Sequence, residues 1–140
     1  MHFTQTILSA AMLILPAYAG FPVVNLEFQS YESCPVGYPG QPATGVPKSV
    51  VSMTSTPLSC DKTTVNRDWD VNNYAFKATM DTKDAYKCAG VSIWNNDDCT
   101  GEPVFFLPFD GQTEVQGQCL PDMLELGFIS FQTECYTDAV

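Results

Sequence analysis

The sequence predicts an all-β fold, a small disulfide-stapled antiparallel sandwich or crystallin-like barrel of about five to eight short strands. Apolar and polar residues alternate over several short segments, and no window sustains a 3.6-residue period. Proline and glycine separate these segments. The chain also has six cysteines in 140 residues. An even number of cysteines in a short exported chain indicates a disulfide framework.

The start of the chain has the order of a secretory signal peptide. Residues 7–16 are almost wholly apolar, and the small-x-small triplet that precedes a cleavage site ends at residue 19. The apolar stretch is shorter than the roughly 20 residues that span a bilayer, which argues against a membrane anchor. We therefore expect residues 1–19 to be a signal peptide and residues 20–140 to form a single secreted β-domain.

The first strand candidates are residues 21–28 and 48–55, which carry alternating apolar positions. Between them, residues 35–47 have proline or glycine at nearly every second position and are predicted to form a loop. Residues 73–80 alternate most regularly, so that Tyr74, Phe76, Ala78 and Met80 share one face. This period of two is typical of a half-buried strand.

Residues 89–94 predict the next strand, in which Trp94 is expected to belong to the core. Residues 103–109 form an apolar run that suits either a strand buried on both faces or an edge strand at Pro108. The final strand is predicted over residues 124–133, after a segment, residues 121–125, that could hold one helical turn.

The dipeptide Asp110-Gly111 is a turn signal of the kind that closes hairpins. We predict that it joins the apolar run to a returning strand over residues 113–115. Such a hairpin would bring Cys99 close to Cys119, so we expect these two residues to pair. The other pairings stay open. All six cysteines are expected in three disulfides: Cys34, Cys60, Cys88, Cys99, Cys119 and Cys135.

The net charge of the chain argues against some classes of partner. The chain has 16 acidic and six basic residues, for a formal charge of −10. This field repels phosphate backbones and anionic lipids, and the basic residues form no cluster. We therefore expect no nucleic-acid partner and no membrane partner after cleavage of the signal peptide, and the protein is expected to be a monomer.

Few catalytic devices are compatible with this composition. The only histidine, His2, lies in the predicted signal peptide, so the mature chain has no Ser-His-Asp or Cys-His arrangement. Two carboxylates could still hydrolyse a glycoside. Three pairs are available, none within a recognisable motif: Asp68 with Asp70, Asp81 with Asp84, and Asp97 with Asp98. We expect no catalytic residues and no cofactor.

Two kinds of binding residue can be proposed. Residues 95–98, which end in Asp97 and Asp98, form an oxygen-rich segment that could bind calcium or form an ordinary turn. Trp69 and Tyr86 lie in polar surroundings. Exposed aromatic side chains of this kind contact sugars and protein partners, so these two are the predicted ligand-binding residues.

A loose resemblance covers residues 85–136. A cysteine-led strand over residues 88–94 leads into the C-T-G turn at residues 99–101, and an S-F-x-x-x-C strand ends at Cys135. This pattern resembles small cysteine-rich secreted proteins of filamentous fungi, many of which are candidate effectors. The resemblance implies secretion and a role at a host or environmental interface, and it implies no catalytic residues.

We therefore expect a non-enzymatic extracellular protein, a fungal effector-like binding module that acts on a host protein or a cell-wall glycan. A small carboxylate-dependent glycoside hydrolase is the alternative from a different class. A toxin-like secreted protein that acts without a partner is the third.

Overall fold

The computed structural model describes residues 22–34, 40–64, 73–123 and 127–136. Within them the chain forms antiparallel strands and no helix. The strands are β1 (Val24–Tyr31), β2 (Ser49–Ser55), β3 (Asp61–Thr64), β4 (Asn73–Met80), β5 (Cys88–Trp94), β6 (Phe105–Pro108), β7 (Glu114–Gln116), β8 (Leu120–Pro121) and β9 (Phe128–Cys135). The predicted signal peptide, residues 1–19, lies outside the described residues.

The strands form two sheets rather than a closed barrel, so the sandwich alternative of the prediction is the one observed. Sheet A has the order β2-β1-β4-β7, with β8 also paired to β4. Sheet B has the order β3-β9-β5-β6. The core lies between the sheets, since the largest fully buried side chains come from both of them, Phe76 and Leu26 from sheet A and Phe131 and Ile93 from sheet B.

Most predicted strands coincide with observed ones, and β4 has the predicted bounds. Strand β6 is an edge strand that ends at Pro108, in agreement with one of the two interpretations of the apolar run. Strands β3 and β8 were not predicted, which brings the number described to nine. Strand β3, with the sequence DKTT, lacks an apolar alternation, and its pairing with β9 is what makes it a strand.

The predicted helical turn is not seen where the structure describes the chain, because Pro121 belongs to strand β8. Residues 124–126 lie outside the described residues. Of the predicted loop at residues 35–47, residues 40–47 contain no strand, and residues 35–39 also lie outside the described residues. The Ala43 amide donates to the Gly117 carbonyl at 2.9 Å, which attaches this loop to sheet A beyond the end of β7.

The predicted hairpin is wrong, although its turn is present. The Gln112 amide donates to the Phe109 carbonyl at 3.0 Å, which closes a turn around Asp110 and Gly111. The chain then leaves sheet B: β6 pairs with β5, whereas β7 pairs with β4 in sheet A. Crossing between the sheets allows both Leu107 and Phe109 to be buried in the core.

The expectation of three disulfides is confirmed, but the Cys99–Cys119 pairing is wrong. The observed pairs are Cys34–Cys119, Cys60–Cys99 and Cys88–Cys135. The wrong pairing has the same cause as the wrong hairpin, because the segments before β6 and after β7 extend along different sheets. Cys60–Cys99 instead joins the residue before β3 to the turn after β5, and Cys88–Cys135 joins β5 to β9.

Two titratable groups on sheet A make the stability of the fold depend on pH in the alkaline range. Burial raises the pKa of the Tyr31 phenol above its ordinary value of 10.0. The pKa of Lys77 is raised above 10.5, first by its hydrogen bond to Glu114, at 3.0 Å, and then by the charges of Glu114 and Glu27. A raised folded-state pKa contributes stability that is complete below the unfolded-state pKa and is lost as pH rises through the folded-state value.

We therefore expect the free energy of unfolding to fall as pH rises above about 10, measured by urea denaturation at a series of pH values. The Lys77 part should be at most about 1 kcal/mol because the ion pairs are partly exposed. Tyr31→Phe and Lys77→Met should each flatten the decline. An unchanged slope in both variants would contradict this assignment.

Candidate functional site

An open groove lies at one end of the sandwich, beside the edge of sheet B. Its volume is about 520 Å³. It is formed by the segment before β5, the β6 edge strand with its following turn, and the residue after β9. We call it the aromatic groove because three of its side chains are exposed aromatic rings. Its lining residues are Ala85, Tyr86, Cys88, Ala89, Phe106, Pro108, Asp110, Gly111 and Tyr136.

The Tyr86 ring rests against a glycine. A Cβ atom built on Gly111 would lie 2.8 Å from Tyr86 Cε1 and 3.3 Å from Cδ1, so the ring occupies the space that any other side chain would need. Gly111 also has a φ of +74°, which favours glycine. Tyr86 is nevertheless 76% exposed. The turn therefore supports one side of the ring and leaves most of its surface to solvent.

The Phe106 ring on β6 also rests against a glycine, Gly90 of the neighbouring strand β5. Phe106 lies diagonally across from Gly90, because Gly90 pairs with Pro108 and Ser92 pairs with Phe106. A Cβ on Gly90 would lie 2.6 Å from Phe106 Cζ. An aromatic side chain that covers a cross-strand glycine supplies packing that the glycine lacks. Phe106 remains 40% exposed and faces the groove.

A disulfide anchors the backbone that carries the third ring. Cys88 and Cys135 are paired residues of β5 and β9, with Cα atoms 3.7 Å apart. The next residue, Tyr136, donates its amide hydrogen to the Lys87 carbonyl at 2.9 Å and is 55% exposed. The bridge and this hydrogen bond connect the segment that carries Tyr86 to the segment that carries Tyr136.

The charge of the groove is negative. Asp110 is exposed and is the one carboxylate among the lining residues that the structure describes, and that lining includes no lysine, arginine or histidine. The basic residue nearest to Tyr86 in the sequence is Lys87, and its Nζ atom lies 4.0 Å from Asp84 Oδ1. The Asp84 side chain is only 4% exposed, so this ion pair joins a buried carboxylate to a partly exposed ammonium group.

One oxygen of the buried Asp84 carboxylate, Oδ1, makes no hydrogen bond to the described residues. The backbone around it forms successive turns, in which the Asp84 amide donates to the Asp81 carbonyl at 2.9 Å and the Lys87 amide donates to the Asp84 carbonyl at 3.0 Å. Lys87 thus pairs with a buried carboxylate, and it is not among the lining residues of the groove.

The predicted ligand-binding residues are only partly described. Tyr86 lines the aromatic groove, whereas Trp69 lies outside the described residues. Of the predicted carboxylate pairs, Asp68 with Asp70 also lies outside them. Asp81 is exposed while Asp84 is buried, and Asp97 and Asp98 are both exposed and are not among the lining residues of the groove.

The proposed calcium segment forms an internally bonded turn. Asn96 Oδ1 accepts hydrogen bonds from the Cys99 amide at 3.1 Å and from Ser130 Oγ at 2.9 Å. The Thr100 hydroxyl donates to Asp98 Oδ1 at 2.6 Å. Where the chain is described, no three Asp, Glu, Cys or His side chains converge as a metal site would require. The assignment of Asp97 and Asp98 to a metal stays a prediction.

The same turn shields Trp94, which is buried and donates its Nε1 hydrogen to the Gly101 carbonyl at 2.9 Å. The prediction that Trp94 belongs to the interior is therefore confirmed. The C-T-G motif at residues 99–101 has a structural use here, because its backbone satisfies a buried indole.

Of the nine lining residues, sequence reasoning proposed only Tyr86 as a ligand contact. It missed, among others, Phe106, Pro108, Asp110 and Tyr136. A signal for the first two was present. Strict alternation through the apolar run places Phe105 and Leu107 on one face and Phe106 and Pro108 on the other, which agrees with their burial. Tyr136 has no comparable signal, because its position depends on the Cys88–Cys135 bridge.

No protein-family model, curated protein or solved structure matches this chain. Among the described residues, no helix has the length and apolar character needed to cross a membrane.

Proposed function

We propose that this protein is a secreted, non-enzymatic, fungal effector-like module that binds a cell-wall glycan in the aromatic groove. The observation that carries the proposal is the pair of rings, Tyr86 and Phe106, each supported by a glycine and each open to solvent. Such rings provide flat apolar platforms at little cost in side-chain entropy. The C–H faces of sugar rings pack on surfaces of this kind.

Secretion is supported by the cysteines and by the start of the chain. All six cysteines are bridged. Disulfides of this density persist in oxidising compartments and are rare in the cytosol. The order of residues 1–19 supplies a route to such a compartment.

Binding is favoured over catalysis by the chemistry within the groove. Glycoside hydrolysis ordinarily uses two carboxyl groups that flank the scissile bond, about 5–9.5 Å apart. The described lining offers Asp110 alone. The mature chain has no histidine, and its thiols are consumed in disulfides, so the common nucleophile–base pairs are not available.

A host protein is the second candidate partner. Tyrosine residues are frequent contact hot spots, and Tyr86 and Tyr136 are both more than half exposed on the groove. A protein partner would bury these rings together with the groove rim. A glycan is favoured because the rings line an open groove of about 520 Å³, a volume within the range of small-molecule sites.

Retention on insoluble polysaccharides tests the proposal. We expect the secreted protein to be retained on at least one of cellulose, xylan, chitin and chitosan, and Tyr86→Ala and Phe106→Ala each to weaken binding about tenfold, equivalent to about 1.4 kcal/mol. Phe128→Ala is the matched control, since Phe128 is also 40% exposed but does not line the groove.

Equal retention of all three variants would place binding elsewhere. If no polysaccharide retains the protein but a host extracellular protein does, and the Tyr86 variant loses that interaction, the second candidate would replace the first. Turnover of a glycan that a single Asp or Glu substitution abolishes would instead establish an enzyme.

A further inference from the structure

Resting on the proposed function, we infer that the aromatic groove selects an amine-bearing glycan over neutral and anionic ones. The first observation is the position of Asp110, which directly precedes the glycine that supports the Tyr86 ring. A carboxylate and an open aromatic ring therefore line the same part of the groove. An ammonium group bound there is attracted to both, to the carboxylate by charge and to the ring face by its quadrupole.

The second observation is the absence of a competing cation in the described lining. Lys87, the base closest in sequence to Tyr86, is paired with the buried Asp84 carboxylate at 4.0 Å. Lys77 is bonded to Glu114 at 3.0 Å on sheet A. A carboxylated or sulfated glycan would therefore meet the Asp110 charge where the described lining includes no lysine, arginine or histidine.

The third observation is the charge of the whole chain. At −10 it favours the approach of cations and opposes that of anions at low salt. Every acidic residue contributes to this long-range attraction, whereas the attraction within the groove depends on the Asp110 carboxylate alone. The two contributions can therefore be separated by substitution.

The turn geometry permits a clean substitution. Asp110 has a φ of 51°, in the left-handed region that asparagine also tolerates. Asp110→Asn thus removes the charge while the turn that supports Tyr86 is kept. Asp122→Asn is the matched control, because Asp122 is exposed, has a similar φ of 50° and lies outside the groove lining. Each substitution removes one negative charge.

The experiment measures calorimetric affinity of the secreted protein for three hexasaccharides at low salt. They are a β-1,4-linked glucosamine, its fully N-acetylated counterpart and a galacturonic acid oligomer. We expect the glucosamine hexamer to bind about tenfold more tightly than the acetylated hexamer and the anionic hexamer not to bind. Asp110→Asn should remove the preference for the amine, Asp122→Asn should retain it, and Tyr86→Ala should weaken both interactions.

The outcomes separate the two proposals. Equal affinity for the free and acetylated hexamers, lost in Tyr86→Ala, would overturn amine selection and leave glycan binding standing. Preferential binding of the anionic hexamer would also overturn amine selection. Binding of none of the three, with no retention on any polysaccharide, would overturn both. If hexalysine binds as tightly as the glucosamine hexamer and Tyr86→Ala has no effect on either, the attraction is unspecific and the inference fails.

Discussion

Replacing both Cys88 and Cys135 with alanine should lower the free energy of unfolding by about 4–5 kcal/mol. The bridge closes a loop with a sequence separation of 47, for which restriction of the unfolded chain accounts for about 4 kcal/mol. Cys88 is also 3% exposed within the core, so the lost sulfur leaves a small cavity. Because a domain is stable by about 5–15 kcal/mol, this variant should lie close to the limit of folding.

Chemical denaturation of the double variant measures this loss. The variant lacking Cys60 and Cys99 is the control, because its loop has a similar separation of 39 while Cys60 is exposed. We expect the Cys88–Cys135 variant to be the less stable of the two by about 1 kcal/mol. Equal losses would contradict a contribution from the burial of Cys88. If the first variant does not fold, its melting temperature in a stabilising osmolyte still ranks the pair.

Phe76→Ala should lower the free energy of unfolding by about 3–5 kcal/mol. Phe76 is fully buried, and its ring centroid lies 5.0 Å from that of Phe28 in sheet A and 6.1 Å from that of Phe105 in sheet B. The substitution removes a ring that contacts both layers. The cavity therefore opens between the sheets, where neither backbone can collapse without breaking a strand ladder.

Urea denaturation of Phe76→Ala beside Phe128→Ala checks this expectation. Phe128 is 40% exposed, so its truncation should cost less than about 1 kcal/mol. Phe76→Leu should fall between the two, because it retains much of the apolar volume. A loss below about 2 kcal/mol for Phe76→Ala would show that the sheets close around the vacated space.

The groove was predictable only in part. Tyr86 could be proposed from its polar surroundings, and the Asp110-Gly111 turn from its residues, because each is a local property of a few positions. Their proximity could not be predicted, since Gly111 and the Tyr86 ring that it supports are separated by 25 positions in the chain. Alternation through the apolar run gave a signal for Phe106, but that continuous run is equally compatible with a strand buried on both faces.

The sequence by itself determined the all-β class, the position of most strands and the number of disulfides. These follow from a period of two over neighbouring residues and from an even count of cysteines, both of which are local or additive properties. Only the tertiary structure decided that β6 and β7 belong to different sheets, that Cys99 pairs with Cys60, and that three distant segments meet at the aromatic groove. Those outcomes depend on which apolar faces bury one another, and that choice is made between residues far apart in the chain.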